Sequence, residues 1–162
     1  MKKITILLFF ATISTFSQNF DKIKISELNI NGKSFYQNTM SFQSEFGTPT
    51  LITTFLNEIS NENWLEYRYI NNSFYFDNDN LIEFLWTDNT FYFQSENIKV
   101  GENINEIEAL FPFSYSKKKI LNNLGFIKIE IILDNNESTD MLIIINYNKD
   151  SKNITSIHSA SN

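Results

Sequence analysis

The sequence predicts an α+β fold built from two approximate repeats, each a short helix packed on an antiparallel β-meander. Aromatic residues are abundant, with 16 Phe and 7 Tyr among 162 residues, and these residue types favour strands. The 23 Asn lie mostly between short segments of alternating apolar and polar residues, where Asn can form tight turns. A glycine followed by a short helix that ends in Phe, with Pro close behind, occurs twice and indicates the repeat.

The segment 1–17 is predicted to be a secretory signal peptide. Two lysines follow Met1, an apolar stretch covers 4–16, and Thr15 and Ser17 supply small residues before a cut ahead of Gln18. A buried N-terminal helix is the alternative. The stretch is shorter than the roughly 20 apolar residues of a membrane span, and no Cys follows it to carry a lipid anchor. We therefore expect a periplasmic or secreted protein with no integral membrane segment after cleavage.

Charge and cysteine content exclude several function classes for 18–162, which is expected to form a single globular domain. The formal net charge is −6, and loss of two lysines with the signal peptide makes it −8. A nucleic-acid-binding protein would carry a basic patch instead. The absence of Cys excludes disulfides and thiolate metal sites, and a single His excludes a multi-histidine site. We expect no metal, no cofactor and no nucleic-acid partner.

The first repeat is expected over 26–96. A helix is predicted over Thr39–Phe46, because Gly47 follows as a C-cap and Pro49 cannot continue the helix. Period-2 segments then predict a five-stranded meander, with strands at 51–56, 64–70, 73–76, 81–87 and 90–95.

The second repeat is expected over 97–160. A helix is predicted over 103–111, since Asn103 and Glu106 form a capping-box pattern and Pro112 ends the helix. Three strands are predicted to follow, at 124–133, 141–147 and 153–159.

Alternation divides the first meander into two faces. One is almost wholly apolar and is expected to pack on the helix; it contains Leu65, Tyr67, Tyr69, Phe74, Phe76, Ile82, Phe84, Trp86, Phe91 and Phe93. The other contains Leu85 among aromatic and charged side chains, and it supplies the candidate binding residues Trp64, Glu66, Arg68, Tyr75, Glu83 and Tyr92. Trp, Tyr and Arg are the residue types of binding hot spots. The alternative is that these residues form a packing layer against the other repeat.

A short motif carries a resemblance to a known fold. The string Phe46-Gly47-x-Pro49 after a short helix, with Trp64-x-x-Tyr67 on a later strand, resembles the β-lactamase-inhibitor-like fold. That fold is shared with small outer-membrane assembly lipoproteins of the BamE/OmlA type. This chain departs from both groups, because it has no Cys to acylate or to form the inhibitor's disulfides. The resemblance implies a non-catalytic periplasmic or secreted protein that binds another protein with its sheet face, and no functional residue is carried over.

Two function classes stay open at the level of sequence. The first is a protein-binding module that uses the mixed face. The second is a carbohydrate-binding module or small glycan-active enzyme, with aromatic stacking platforms and two nearby carboxylates, at Trp64, Tyr75, Tyr92, Glu66 and Glu83. A flat or shallow face favours the first class, and a cleft with paired carboxylates favours the second. His158 has no nucleophile motif around it and is expected to be an ordinary strand histidine, so we expect a non-catalytic protein.

Overall fold

The computed structural model describes residues 20–35, 37–57 and 61–161, and the predicted signal peptide lies outside them. The strands are β1 (Lys22–Lys24), β2 (Asn29–Ile30), β3 (Lys33–Ser34), β4 (Leu51–Asn57), β5 (Glu62–Tyr69), β6 (Asn72–Asp77), β7 (Asn80–Trp86), β8 (Tyr92–Phe93), β9 (Ile98–Lys99), β10 (Lys119–Leu121), β11 (Leu124–Ile132), β12 (Ser138–Asn148) and β13 (Ile154–Ser161). The helices are a 3₁₀ turn (Ile25–Glu27), α1 (Thr39–Phe46), α2 (Glu106–Leu110) and α3 (Pro112–Ser116). No helix in the described part of the chain is long and apolar enough to cross a membrane.

The strands form a large mixed sheet and a small second sheet. In the large sheet the order is β1-β11-β12-β13-β7-β6-β5-β4, with β10 beside β11. The β1–β11 pair is parallel and the other pairs are antiparallel. The second sheet has the order β3-β2-β8-β9.

The prediction of two helix-on-meander repeats is wrong. Both meanders exist, as β4–β7 and β11–β13, but they join edge to edge into one sheet, with Ile157 opposite Trp86 and His158 opposite Leu85. An unpaired β7 would expose a row of backbone donors and acceptors; β13 pairs with the end of this strand, and the Ser159 hydroxyl accepts from the N–H of Phe84 at 3.0 Å. This pairing joins residues more than 70 positions apart, so no local sequence pattern reports it.

The bounds of the two predicted helices agree with the structure to different degrees. Helix α1 has the predicted bounds; the side chain of Asn38 accepts a hydrogen bond from the N–H of Ser41 at 2.8 Å, and Gly47 caps the other end. The second helix is shorter than predicted and is followed by a separate one-turn helix, α3. Pro112 ends α2 and also begins α3, because proline at the first helical position lacks only an N–H that would be unbonded there.

The fifth predicted strand of the first meander belongs to the second sheet. Only Tyr92–Phe93 is extended there, and it pairs with β2 and β9. Asn72 redirects the chain after β7: its Oδ1 accepts from the N–H of Thr87 at 2.9 Å, and its Nδ2 donates to Asp88 at 2.6 Å. The segment after Trp86 therefore leaves the large sheet and crosses over its apolar face.

The core lies between that apolar face and a layer made of α1 and the second sheet. Phe42 of α1 is fully buried and its ring lies 4.5 Å from the ring of Phe74. Phe93 of β8 contacts Trp86 with a ring separation of 4.7 Å. The apolar face continues across the join through buried isoleucines, at Ile127, Ile129, Ile131, Ile143, Ile145 and Ile157. Of the predicted core face, Leu65 and Ile82 are half-buried and the rest are buried, as predicted.

Candidate binding face

The opposite side of the large sheet, here called the outer face, carries most of the predicted site residues. Glu66 lies opposite Tyr75, which in turn lies opposite Glu83. Trp64 and Arg68 are two residues on either side of Glu66 in β5, so alternation places them on the same face. Residues from three adjacent strands are thus brought together.

Tyr92 does not join them. It lies in β8 of the second sheet, opposite Lys99, and its N–H donates to the side chain of Asn31 at 3.0 Å. Its assignment to the same face is wrong, because the chain leaves the large sheet after Trp86.

The second meander does not cover the outer face but extends it sideways. His158 lies opposite Leu85 on one side and opposite Ile144 on the other. Strand β4 extends the face in the other direction, with Phe55 opposite Trp64. Leu85 lies on the outer face, where alternation in β7 predicts it, whereas Phe55 and His158 are outer-face residues that the sequence interpretation did not include. The alternation of β4 could have indicated Phe55, but the position of His158 beside Leu85 depends on the β7–β13 join.

A buried carboxylate anchors the centre of this face. Glu66 is 7% exposed, although it lies on the side of the sheet away from the core. Arg68 donates to it through Nε at 3.2 Å and through Nη2 at 3.0 Å to each oxygen, and the Ser73 hydroxyl donates at 2.7 Å. Charge-assisted bonds of this kind fix both side chains in one geometry. Glu66 is therefore held as an ion-pair partner.

Three aromatic rings pack beside this ion pair. The ring of Phe55 lies 6.2 Å from that of Trp64 and 6.0 Å from that of Tyr75, both edge-to-face. The indole Nε1 of Trp64 is buried and has no acceptor among the described residues. The indole Nε1 of Trp86, in the core, also lacks an acceptor among the described residues, so an unpaired indole N–H does not by itself mark a binding site.

A shallow depression of about 470 Å³ joins these groups to the neighbouring meander. Its walls include the three aromatic rings and also Glu83, Leu85 and His158. Next to it, Asn146 donates to Ser156 at 2.9 Å and lies 3.3 Å from Nδ1 of His158. A second depression, of about 530 Å³, shares Asn146 and continues toward the β10–β11 turn at Leu121. The outer face therefore carries an extended, open groove.

Burial shifts the pKa values of three groups in the depression. It raises the pKa of the Glu83 carboxyl and lowers the pKa of the His158 imidazole. Burial also raises the pKa of the Tyr75 hydroxyl, against a smaller opposing effect of a hydrogen bond with Ser73. Burial thus makes charge on these three groups less favourable than in water, while Arg68 provides a cation outside the depression.

Comparisons with known proteins assign no family. No protein-family model matches the chain, and no curated protein sequence matches it. Among solved structures, an extracellular protein containing an SCP domain from Bacillus anthracis is similar to this chain with a TM-score of 0.48 and 8% sequence identity. The similarity covers 77% of this chain and 43% of the Bacillus anthracis protein, so this chain spans less than half of that protein's length. It identifies neither a family nor a function for this chain.

Proposed function

We propose that this chain is an exported, non-catalytic binding module of the cell envelope, periplasmic or secreted, whose outer face binds another protein. The observation that carries the proposal is the cluster of Phe55, Trp64 and Tyr75 rings, which lines an open depression next to the ordered Arg68. Anchors of these residue types often contribute about 2 kcal/mol or more to binding when a partner covers them. The partner expected here presents apolar side chains that pack on these rings.

The shape and composition of the outer face support a protein partner. The depression is shallow and runs into a second one, which suits an extended contact better than an enclosed small molecule. Trp and Tyr beside an ordered Arg are typical of interface hot spots. Arg68 is held by Glu66, so it would lose little conformational entropy on binding.

A carbohydrate ligand or a glycan-active enzyme is supported less well. Tyr92, one of its three stacking platforms, lies in the other sheet. Glu66 accepts hydrogen bonds from Arg68 and Ser73, so it is engaged rather than poised as an acid or base. Burial raises the pKa of Glu83, but glycoside hydrolysis uses a pair of carboxyl groups, and Glu66 is held by Arg68.

The proposal also includes export of this chain and its relationship to the β-lactamase-inhibitor-like family. Export is supported by the signal-like sequence over 1–17. Intact mass of the exported protein should correspond to a start near Gln18, and a mass that retains 1–17 would contradict it. The relationship to the β-lactamase-inhibitor-like family stays a prediction, because no comparison addresses it.

The partner is identified by a photo-crosslinking amino acid placed at Leu85, in the depression, and at Leu110 on α2 as the matched exposed control. A protein from the producing cell's envelope fraction should crosslink at Leu85 and not at Leu110. Titration of that purified partner should then show at least tenfold weaker binding to Trp64→Ala, which removes the indole ring, and unchanged binding to Leu110→Ala. Equal capture at both positions, or unchanged affinity of Trp64→Ala, would contradict the proposal. Binding in a parallel glycan array that Trp64→Ala abolishes would favour the carbohydrate alternative.

A further inference from the structure

Strand β4 forms one end of the large sheet. It pairs with β5, and no other described strand pairs with it. The backbone groups that point away from β5 form an open edge, and such edges are templates for pairing with another strand.

The side chains of β4 offer no protection against such pairing. The segment 51–56 contains no charged residue and no Pro, and four of its six residues are large and apolar. All four are exposed, and they lie on both sides of the sheet: Leu51 and Phe55 are 46% and 36% exposed on the outer face, and Ile52 and Leu56 are 49% and 53% exposed on the other. A single ligand on the outer face would leave Ile52 and Leu56 uncovered.

The other described sheet edges are built differently. At the far end of the large sheet, β1 and β10 have three residues each and carry Lys22, Lys24 and Lys119. In the second sheet, the edge strands β3 and β9 have two residues each and carry Lys33 and Lys99. Short edge strands with lysines are devices that block unwanted pairing. Among the described edges, β4 is the long and uncharged one.

We propose that β4 pairs with β4 of a second copy of this chain, antiparallel and about a two-fold axis perpendicular to the sheet. An axis through Thr53 places Leu51 of one copy opposite Phe55 of the other, and an axis through Thr54 places Ile52 opposite Leu56. Each of these two registers matches apolar with apolar side chains, as cross-strand pairs require. A two-fold interface needs only one self-complementary surface, and the contact closes after two copies.

The charge distribution allows a second copy at this edge. The chain has a net charge of −6, so two copies repel each other over most of their surfaces. The segment 51–56 is uncharged and contributes nothing to that repulsion. The two outer faces would lie on the same side of the combined sheet, and the dimer does not depend on what the outer face binds.

The absence of cysteine allows a direct test. The chain is produced in an exporting host and purified as released, with Thr53→Cys, Thr54→Cys or, as a matched control, Thr155→Cys, an exposed threonine on β13. Residues related by the axis lie roughly 4.5–5.5 Å apart at Cα, within disulfide range. At least one β4 variant should form a disulfide dimer in mild oxidant at about ten times the rate of the control. Rates equal to the control for both variants would overturn the proposal.

Sedimentation of the cysteine-free protein provides the second measurement. The parent should sediment as a dimer, and Thr54→Lys should weaken dimerisation at least tenfold, because it places two lysines at the axis in one register and next to the axis, each opposite Ile52, in the other. Met40→Lys, at an 80% exposed apolar residue of α1, should dimerise like the parent. A monomeric parent at high micromolar concentration, growth beyond dimers, or co-purification of a different chain on β4 would each overturn the proposal. If Thr54→Lys fails to fold, the disulfide rates still decide.

Discussion

Truncating Arg68 should destabilise the protein even though this residue lies on the face assigned to binding. The carboxylate of Glu66 is 7% exposed and receives three of its four hydrogen bonds from Arg68. Arg68→Ala would leave a buried charge with only the Ser73 hydroxyl as donor. Leaving such a group unpaired is costly in a protein interior.

The size of the effect follows from the exposure of the pair. Hydrogen bonds to charged groups contribute about 1.5–3 kcal/mol when buried. The Arg68 side chain is 45% exposed, so solvent screens part of this contribution, and we expect a loss of about 1–2 kcal/mol from the free energy of unfolding. For a chain of this length that corresponds to a melting temperature lower by about 3–6 °C.

The assay is thermal unfolding of a double-mutant cycle. Glu66→Gln removes the charge that Arg68 compensates, so Arg68→Ala should cost less in that background, with a coupling free energy of about 1 kcal/mol. Lys99→Ala is the control, because its ion pair with Glu102 at 3.1 Å is exposed and should contribute less than about 0.5 kcal/mol. If Arg68→Ala melts like Lys99→Ala, or if the cycle shows no coupling, Glu66 does not depend on Arg68.

Three further predictions concern the core, the depression and a close backbone contact. Phe42→Ala should cost about 3–5 kcal/mol, and Phe46→Ala clearly less because Phe46 is only partly buried; equal losses in denaturant unfolding would contradict the packing of α1. Burial raises the pKa of Glu83, so its contribution to stability is present below the unfolded value of 4.5 and is lost as pH rises through the folded pKa. Glu83→Gln should therefore raise the melting temperature at pH 7 by about 1–3 °C and have no effect near pH 4, and a uniform shift at both pH values would refute this. Gly125→Ala should cost about 1–3 kcal/mol, since an added Cβ would lie 2.1 Å from Cζ of Tyr147, and Tyr147→Leu should remove most of that cost in a double variant.

Features of the fold that depend on neighbouring residues could be predicted from the sequence. The strands around Asn71 and Asn78 follow from period-2 alternation interrupted by turn residues, and helix α1 follows from its end signals at Gly47 and Pro49. The apolar face containing Phe74 and Trp86 follows from the same alternation. These patterns extend over only a few residues, and over that range the backbone preference and the burial of the side chains favour the same structure.

Features that depend on distant residues could not be predicted. Leu85 and His158 are brought side by side by a pairing that leaves no periodic trace in either strand. The segment containing Tyr92 alternates like a further meander strand, but Asn72 holds the chain after Trp86 and Asn31 holds Tyr92 in the second sheet. Alternation accordingly placed the residues of β5, β6 and β7 on one face, and it could not place His158 beside them.

The parallel pairing of β1 with β11 has a consequence for the order in which this protein folds. Ile23 is in register with Ile131, and Asp21 exchanges hydrogen bonds with Ser114, so the start of the described chain is held by segments about a hundred residues later. Closing so long a loop is entropically unfavourable before the intervening chain is ordered, and folding rates fall as such distant contacts dominate. The first strand should therefore be the last to dock. A chain emerging N-terminus first cannot complete its large sheet until β11 has followed.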